Sequence, residues 1–531
     1  MTMADMKILI SDHLEQKCID ILEREGFTVD NKPGLSADEL RAIIGGYDAL
    51  VVRSSTTVDA SLIAAAARMK IIGRAGTGVD NIDVAAATRK GILVMNTPGG
   101  NTISAAEHTV SMMLALARNI PQAHGSLSRG EWDRKRYMGV EVFGKTLGII
   151  GLGKIGREVA SRCQAFGMTV IGYDPVLAGD VAAKWNIALV SLEELFHRSD
   201  FITLHTPLTN ETRWLLNDAT LASCKRGVRI VHCARGGIVD EAALYRALQS
   251  GHVGGAALDV FEQEPPHDNP LLTHEKVVAT PHLGASTGEA QEKVAVQIAQ
   301  QIADALHGRG YGGLVNGEVL QLAMNAELQP YAQLAEKLGS FVAQVASGRI
   351  TGVAIHATGD LVSSSIELMK AAALKGILAR VLPEPVNIVN APVHAAEMGL
   401  AVSEYRESSK ERYLNLLRLV VQTEAGRHEI AGTVYAPSVI RFVTIDGFRF
   451  ELNPEGFLLI YNNVDKPGML ARVGTILAKH NVNIAGVSLG RVALGAQALT
   501  VMSIDGEIPS RAMQELFALE GISNLKLVHL D

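Results

Sequence analysis

Over about the first three hundred residues, short apolar runs alternate with longer stretches of helical spacing, and this rhythm predicts an α/β chain built on parallel sheets. Strands are expected at 7–11, 49–53, 69–74 and 92–96, with helices through 19–24 and 62–67 between them. A long helix is expected over 104–118. Residues 147–156 read Leu-Gly-Ile-Ile-Gly-Leu-Gly-Lys-Ile-Gly, a buried strand that passes straight into a glycine turn, and residues 157–162 continue as a helix former. Alternation resumes through 201–205, 229–232, 255–258 and 277–279. A second long helix over 288–306 is expected to cross back onto the first sheet, which makes the middle unit an insertion and leaves a cleft between two lobes.

After a glycine-rich linker at 308–313 the pattern changes. Residues 317–453 mix strand and helix spacing and contain a hairpin signal at Asp446-Gly447. From Gly456 the order is βαββαβ. The expected division is 1–99 and 285–312 for a substrate lobe of flavodoxin-like type, 100–284 for an inserted Rossmann-type nucleotide domain, 317–453 for an α+β intervening domain and 456–531 for a ferredoxin-like regulatory domain.

Composition narrows the classes. The chain has 531 residues, 47% hydrophobic and 20% charged, with a net charge of −7, and so lacks the basic excess that nucleic acid or an anionic membrane surface requires. No apolar stretch approaches the ~20 residues of a membrane span, and the N-terminus reads as a first strand, so the cytoplasm is the expected compartment. Cys18, Cys163, Cys224 and Cys233 show neither CxxC spacing nor a His cluster, so neither disulfides nor a metal are expected.

The candidate chemistry starts at the glycine turn. Gly151 permits the tight turn, Gly153 lets backbone approach a pyrophosphate, and Gly156 lets the helix pack close. Asp174 ends the next strand, roughly twenty residues on, where an acid accepts from adenosine ribose hydroxyls. Pro175 follows it and no Arg waits for a 2′-phosphate, so NAD is expected over NADP. Oxidation of a hydroxy acid further needs a cation for the carboxylate, a base for the hydroxyl proton and a partner for that base. Arg235, Glu264 and His282 each follow a strand at the carboxyl end, where ligands bind in open α/β sheets. A carboxylate beside His282 would raise its pKa. Asp259 also follows a strand, either near a nicotinamide carboxamide or as a helix cap.

On the runs 73–83, 96–101, 151–156, 233–241, 257–261 and 281–287, the chain resembles the D-2-hydroxyacid dehydrogenase family, and within it the long-form branch that oxidises 3-phosphoglycerate. The resemblance implies that Arg235 binds the substrate carboxylate and C2 oxygen, that Glu264 pairs with His282, and that His282 is the acid/base. It implies NAD contacts from Thr77, Lys154, Ile155, Asp174, Thr206, Ala234, Asp259, His282, Leu283, Gly284 and Ala285. Arg53 and Arg74 end two strands of the first lobe, where paired cations suit a dianionic phosphate or form structural salt bridges, and Asn101 adds a neutral donor. The last unit resembles an ACT domain around 462–470 and 483–484, which implies serine as effector at Asn463, Asp465 and Asn483. Arg441 and Arg449 are candidate anion contacts of the intervening domain. The expected reaction is NAD-dependent oxidation of 3-phosphoglycerate to 3-phosphohydroxypyruvate, the first step of serine biosynthesis, in a homo-oligomer with contacts at helix 104–118 and Trp132. The alternatives are a broader 2-hydroxyacid dehydrogenase that interconverts 2-oxoglutarate and 2-hydroxyglutarate, and an NAD-sensing corepressor-like scaffold.

Overall fold

The structure, a computed structural model, describes residues 5–407, 413–436 and 439–530. Five parallel strands, β1 (Lys7–Ile10), β2 (Thr28–Asn31), β3 (Ala49–Val52), β4 (Ile71–Arg74) and β5 (Leu93–Met95), lie in the order β2-β1-β3-β4-β5. The order reverses beside β1, and at such a switch point the carboxyl ends of the strands open a crevice. Arg53 and Arg74 stand at that end.

The second sheet holds β6 (Thr146–Ile150), β7 (Thr169–Tyr173), β8 (Ala188–Leu189), β9 (Phe201–Leu204), β10 (Val228–His232), β11 (Val253–Leu258) and β12 (Val277–Ala279). All seven run parallel in the order β12-β11-β10-β9-β6-β7-β8. The helix Thr102–Arg118 lies against one face, where Val110, Met113 and Leu116 join Leu147 and Ile149 in a core. The strands of this sheet are largely apolar because helices cover both faces.

The helix Gly288–Leu306 returns to the first sheet as the pattern predicts: Val294, Ile298 and Ile302 pack with Ile8, Ile10 and Ile71. Gly73 makes room for it, since a Cβ there would stand 2.5 Å from Ile302 Cδ1 and 2.9 Å from Ile298 Cγ1. The stretch 308–313 differs from the expected linker. The Asn96 N–H donates to the Gly313 carbonyl at 2.8 Å and the Val315 N–H to that of Val94 at 2.8 Å, so the chain extends the edge of the first sheet before it leaves.

The third sheet, β14-β13-β15-β16-β17-β18, comprises β13 (Ile350–Thr358), β14 (Ala401–Glu407), β15 (Leu416–Thr423), β16 (Gly426–Ala436), β17 (Val439–Ile445) and β18 (Phe448–Leu452). Asp446 and Gly447 join the last two strands with φ of 47° and 84°, the left-handed pair that a two-residue hairpin loop requires. The fourth, β20-β21-β19-β22, is antiparallel and comprises β19 (Gly456–Val464), β20 (Ile484–Arg491), β21 (Gln497–Ile504) and β22 (Ile522–Leu530). Leu459 and Tyr461 face its two helices, while Leu458, Ile460 and Val528 join Leu334, Leu338 and Phe341 of the helix Gln329–Val345. The third and fourth sheets therefore share one core. Among the described residues no helix is long and apolar enough to cross a membrane.

Gly73→Val should lower the stability of the first lobe by about 1–3 kcal/mol, the usual cost of overpacking. Denaturant unfolding would show it as a lower midpoint, and an unchanged midpoint would mean that the helix can shift away.

Candidate active site

The glycine turn leaves β6 at Ile150, with Gly151 at φ 93° and a Cβ position 2.7 Å from the His205 carbonyl oxygen. Only glycine fits there. Gly156 is equally constrained, because its Cβ would lie 2.1 Å from the Gly151 carbonyl oxygen. Gly153 begins the helix Lys154–Ala165 and meets nothing within 4 Å, which leaves an open cradle at the positive end of that helix. The Thr206 hydroxyl, on the side chain that packs against Gly151, is buried and has no hydrogen-bond partner among the described residues. These features fit a dinucleotide pyrophosphate. Asp174 ties the turn to the end of β7, accepting the Leu152 N–H at 2.9 Å and those of Val176 and Leu177 at 3.0 and 3.1 Å. Lys154 Nζ donates to the Pro98 carbonyl at 3.3 Å, and Ile155 is half-buried behind it. Thr77 donates its hydroxyl to Asn101 Oδ1 at 2.8 Å near the junction of the lobes.

Glu264 and His282 meet as the sequence suggests. Glu264 Oε2 lies 2.7 Å from His282 Nδ1, and Oε1 accepts the Phe261 N–H at 3.0 Å. The hydrogen bond to Glu264 raises the His282 pKa above its ordinary value, against burial. Burial pushes Glu264 upward, but its bonds from His282 and the Phe261 N–H outweigh that and hold it below the usual range. His282 itself has φ 54°, and its N–H donates to the Asp259 carbonyl at 2.9 Å.

Asp259 is not a helix cap. No helix follows it, and its fully buried carboxylate accepts the N–H groups of Leu283 and Gly284 at 2.7 and 2.9 Å and the Thr280 hydroxyl at 2.7 Å. His108 Nε2 lies 3.1 Å from the same carboxylate. Burial raises the Asp259 pKa, but hydrogen bonds from His108, Thr280 and Leu283 overcome it and the group stays ionised. His108, Cys233 and Asp259 thus lie close enough to share a cation, yet the Asp259 oxygens already serve the 280–284 loop.

Arg235 leaves β10, donates from Nη1 to the Ala234 carbonyl at 2.7 Å and reaches across the cleft from Nε to Asp80 Oδ2 at 3.0 Å. His232 holds the Arg235 carbonyl at 2.7 Å through Nε2, and burial pushes its pKa down to about 4, so the ring stays neutral. Arg53, Arg74, Asn101, Arg235, Glu264 and His282 line one cavity of about 480 Å³. Burial is the chief cause that lowers the Arg74 pKa; the charge of Arg235 and, less strongly, that of Arg53 add to it, while Asp80 and Asp12 oppose it. Asp80, Asn81 and His108 carry no role in the sequence reading. Asp80 and Asn81 lie inside the 73–83 run, where the sequence marks a loop but not which way its side chains turn.

The three effector candidates are not joined in one hydrogen-bonded group. Asn463 is buried, accepting the Thr500 hydroxyl at 2.8 Å and donating to the Val464 carbonyl at 3.0 Å. Asp465 pairs with Arg491 at 3.1 Å and Asn483 donates to Asp505 at 2.7 Å. Arg449 lines an open recess of the third sheet beside Arg418, and Arg441 turns to Asn453 at 3.2 Å.

Residues 110–284 match the family model for the D-isomer specific 2-hydroxyacid dehydrogenase NAD binding domain, 327–446 that for the D-3-phosphoglycerate dehydrogenase intervening domain, and 457–521 the ACT domain. D-3-phosphoglycerate dehydrogenase from Methanocaldococcus jannaschii is 43% identical over 99% of this chain and 100% of its own length. The chain belongs to the D-3-phosphoglycerate dehydrogenase family. Family members from Bacillus subtilis, at 41% identity over 99% of both chains, and Homo sapiens, at 43% over 95% of this chain and 96% of its own, show the same full-length likeness. Among solved structures, a glyoxylate reductase from Paecilomyes thermophila aligns over 59% of this chain and 98% of its own with TM-score 0.55 and 32% identity. A D-lactate dehydrogenase from Aquifex aeolicus, complexed with NAD and lactic acid, aligns over 57% of this chain and 96% of its own with TM-score 0.52 and 28% identity. D-3-phosphoglycerate dehydrogenases are oxidoreductases, and NAD is the cofactor of this chain, whose glycine turn lies inside the matched NAD binding domain.

The His282 ring should titrate above an ordinary histidine, and Glu264→Gln should bring its pKa down because the carboxylate that favours the imidazolium is gone. Histidine NMR titration of both proteins checks this, and equal midpoints would show that Glu264 does not set the protonation of His282.

Proposed function

We propose that this chain oxidises 3-phospho-D-glycerate to 3-phosphohydroxypyruvate with NAD, the first step of serine biosynthesis. The observation that carries this reading is the Glu264–His282 pair, 2.7 Å apart, facing a cavity that three arginines line. Arg235 takes the substrate carboxylate and C2 oxygen, and must exchange part of its bond to Asp80 to do so. Arg53 and Arg74 take the phosphate, with Asn101 as a neutral donor. Neutral His282 accepts the C2 hydroxyl proton at Nε2 while Glu264 holds Nδ1–H and stabilises the imidazolium that forms. Gly151, Gly153, Gly156, Lys154, Ile155, Asp174, Thr206 and Ala234 hold the dinucleotide, with Thr77, Asp259 and residues 282–285 toward its nicotinamide end. Bound NAD supplies the hydride acceptor. Because the His282 pKa is raised, oxidation should be slow where the ring is protonated and rise with pH through that raised value.

The ACT domain supports serine as effector, with Asp465 meeting the ammonium group and Asn483 the carboxylate end. Their bonds to Arg491 and Asp505 would be remade on binding. Asn463, engaged inside the domain, would act only by shaping that site. A homo-oligomer is supported by Ile120, Leu127, Trp132, Met138 and Phe143, all more than half exposed within a short stretch of chain. Four unpaired cysteines suit a reducing compartment such as the cytoplasm.

NADH should form from 3-phosphoglycerate and slow on addition of serine; no NADH with that substrate would overturn the reading. His282→Ala should lower kcat by about 10²–10⁴-fold with NAD affinity nearly intact, and unchanged turnover would remove His282 from the chemistry. Arg53→Ala should lose rate on 3-phosphoglycerate while leaving the slower reaction of D-glycerate little changed; equal loss on both would refute the phosphate clamp.

A further inference from the structure

Asn81 sits between the two first-lobe arginines. Its Oδ1 accepts from Arg74 Nε at 2.8 Å, and its Nδ2 donates to the carbonyls of Arg53 at 2.7 Å and Thr56 at 2.6 Å. One amide thus commits its acceptor and both donors to the two ends of the clamp. From the other side, the buried Asp12 carboxylate accepts the N–H groups of Arg53 and Thr56 at 2.6 and 3.2 Å and the Thr56 hydroxyl at 2.7 Å. The turn after β3 is held in place by these two side chains.

The chemistry of an amide matters at this point. Arg74 feels like charges from Arg235 and Arg53 and opposite ones from Asp80 and Asp12, and a long guanidinium free to choose its rotamer would swing away from the first pair and toward the second. A neutral acceptor at Nε holds it in without cancelling its charge, and leaves the far edge of the fork for an anion. A carboxylate at the same place would neutralise the cation that a dianion has to meet. The adjacent residue shows the contrast, since Asp80 spends its charge on Arg235.

We propose that Asn81 is the positioning residue that sets phosphate selectivity, holding Arg74 and the Arg53 backbone at the spacing a phosphate monoester needs. The proposal rests on the reading of Arg53 and Arg74 as the phosphate clamp. Asn81 acts through the arginines and does not touch the reacting atoms.

The test compares kcat and KM of the full-length enzyme on 3-phosphoglycerate and on D-glycerate, with inorganic phosphate as a competing ligand. Asn81→Ala should raise KM for 3-phosphoglycerate roughly 10- to 100-fold, the loss expected for a hydrogen bond to a charged group, with kcat and D-glycerate efficiency nearly unchanged. Inhibition by phosphate should weaken in parallel. Asn81→Asp, of the same size, should fold, as thermal unfolding can verify, and show an equal or larger KM increase. Equal loss on both substrates for Asn81→Ala, or retained selectivity for Asn81→Asp, would overturn the proposal. If Arg53→Ala loses phosphate selectivity and Asn81→Ala does not, the positioning role alone falls. If Arg53→Ala does not lose it either, the clamp reading falls with it.

Discussion

A buried carboxylate organises the catalytic end of this molecule. Asp259 has no exposed surface, and an ionised group so placed is tolerated only when its oxygens are fully engaged. They are engaged by the backbone of the loop that follows β12, together with Thr280 and His108. The same residue's carbonyl takes the His282 N–H, so the left-handed turn of His282 is held by Asp259 from two directions. That turn aims the imidazole at Glu264, and the Glu264 bond in turn fixes which ring nitrogen faces the cleft.

The cleft depends on two lobes that are separate in sequence and joined in space. The helix Gly288–Leu306 completes the first lobe only after the whole second sheet has been built, and its apolar face replaces a wall the first hundred residues cannot supply. Arg235 to Asp80 and Lys154 to Pro98 cross between the lobes, so the cleft is tied across at two points.

The C-terminal half is also a joint construction. One face of the ACT sheet lies on the helix Gln329–Val345, and Gln344 exchanges hydrogen bonds with the backbone of His529. This body meets the first lobe where Glu397 pairs with Arg89 at 2.6 Å and Asn387 donates to the Gly91 carbonyl at 2.8 Å. The helix Val84–Arg89 begins at Asp83, directly after the loop that carries Asp80 and Asn81. The intervening domain and the loop that carries Asp80 and Asn81 are therefore separated by one short helix.

Much of this was legible in the chain. The apolar strands of both parallel sheets, the glycine turn with Asp174, the Glu264 and His282 positions and the βαββαβ tail all follow from local pattern, because buried strands must be apolar and a phosphate turn must be glycine. What was not legible has equally physical reasons. The edge strand β2, Thr-Val-Asp-Asn, buries little and carries no apolar signature, and residues 308–313 look like a linker because their bonds are to a strand more than two hundred residues away. Asp259 reads as a cap or a cofactor contact until its donors, from His108 to Gly284, are brought around it. Asn81 reads as one polar residue in a loop. The sequence by itself determined which side chains are present at the carboxyl ends of the strands. Only the tertiary structure decided which of them meet, because hydrogen-bond partners are set by distance and direction across elements far apart in the chain.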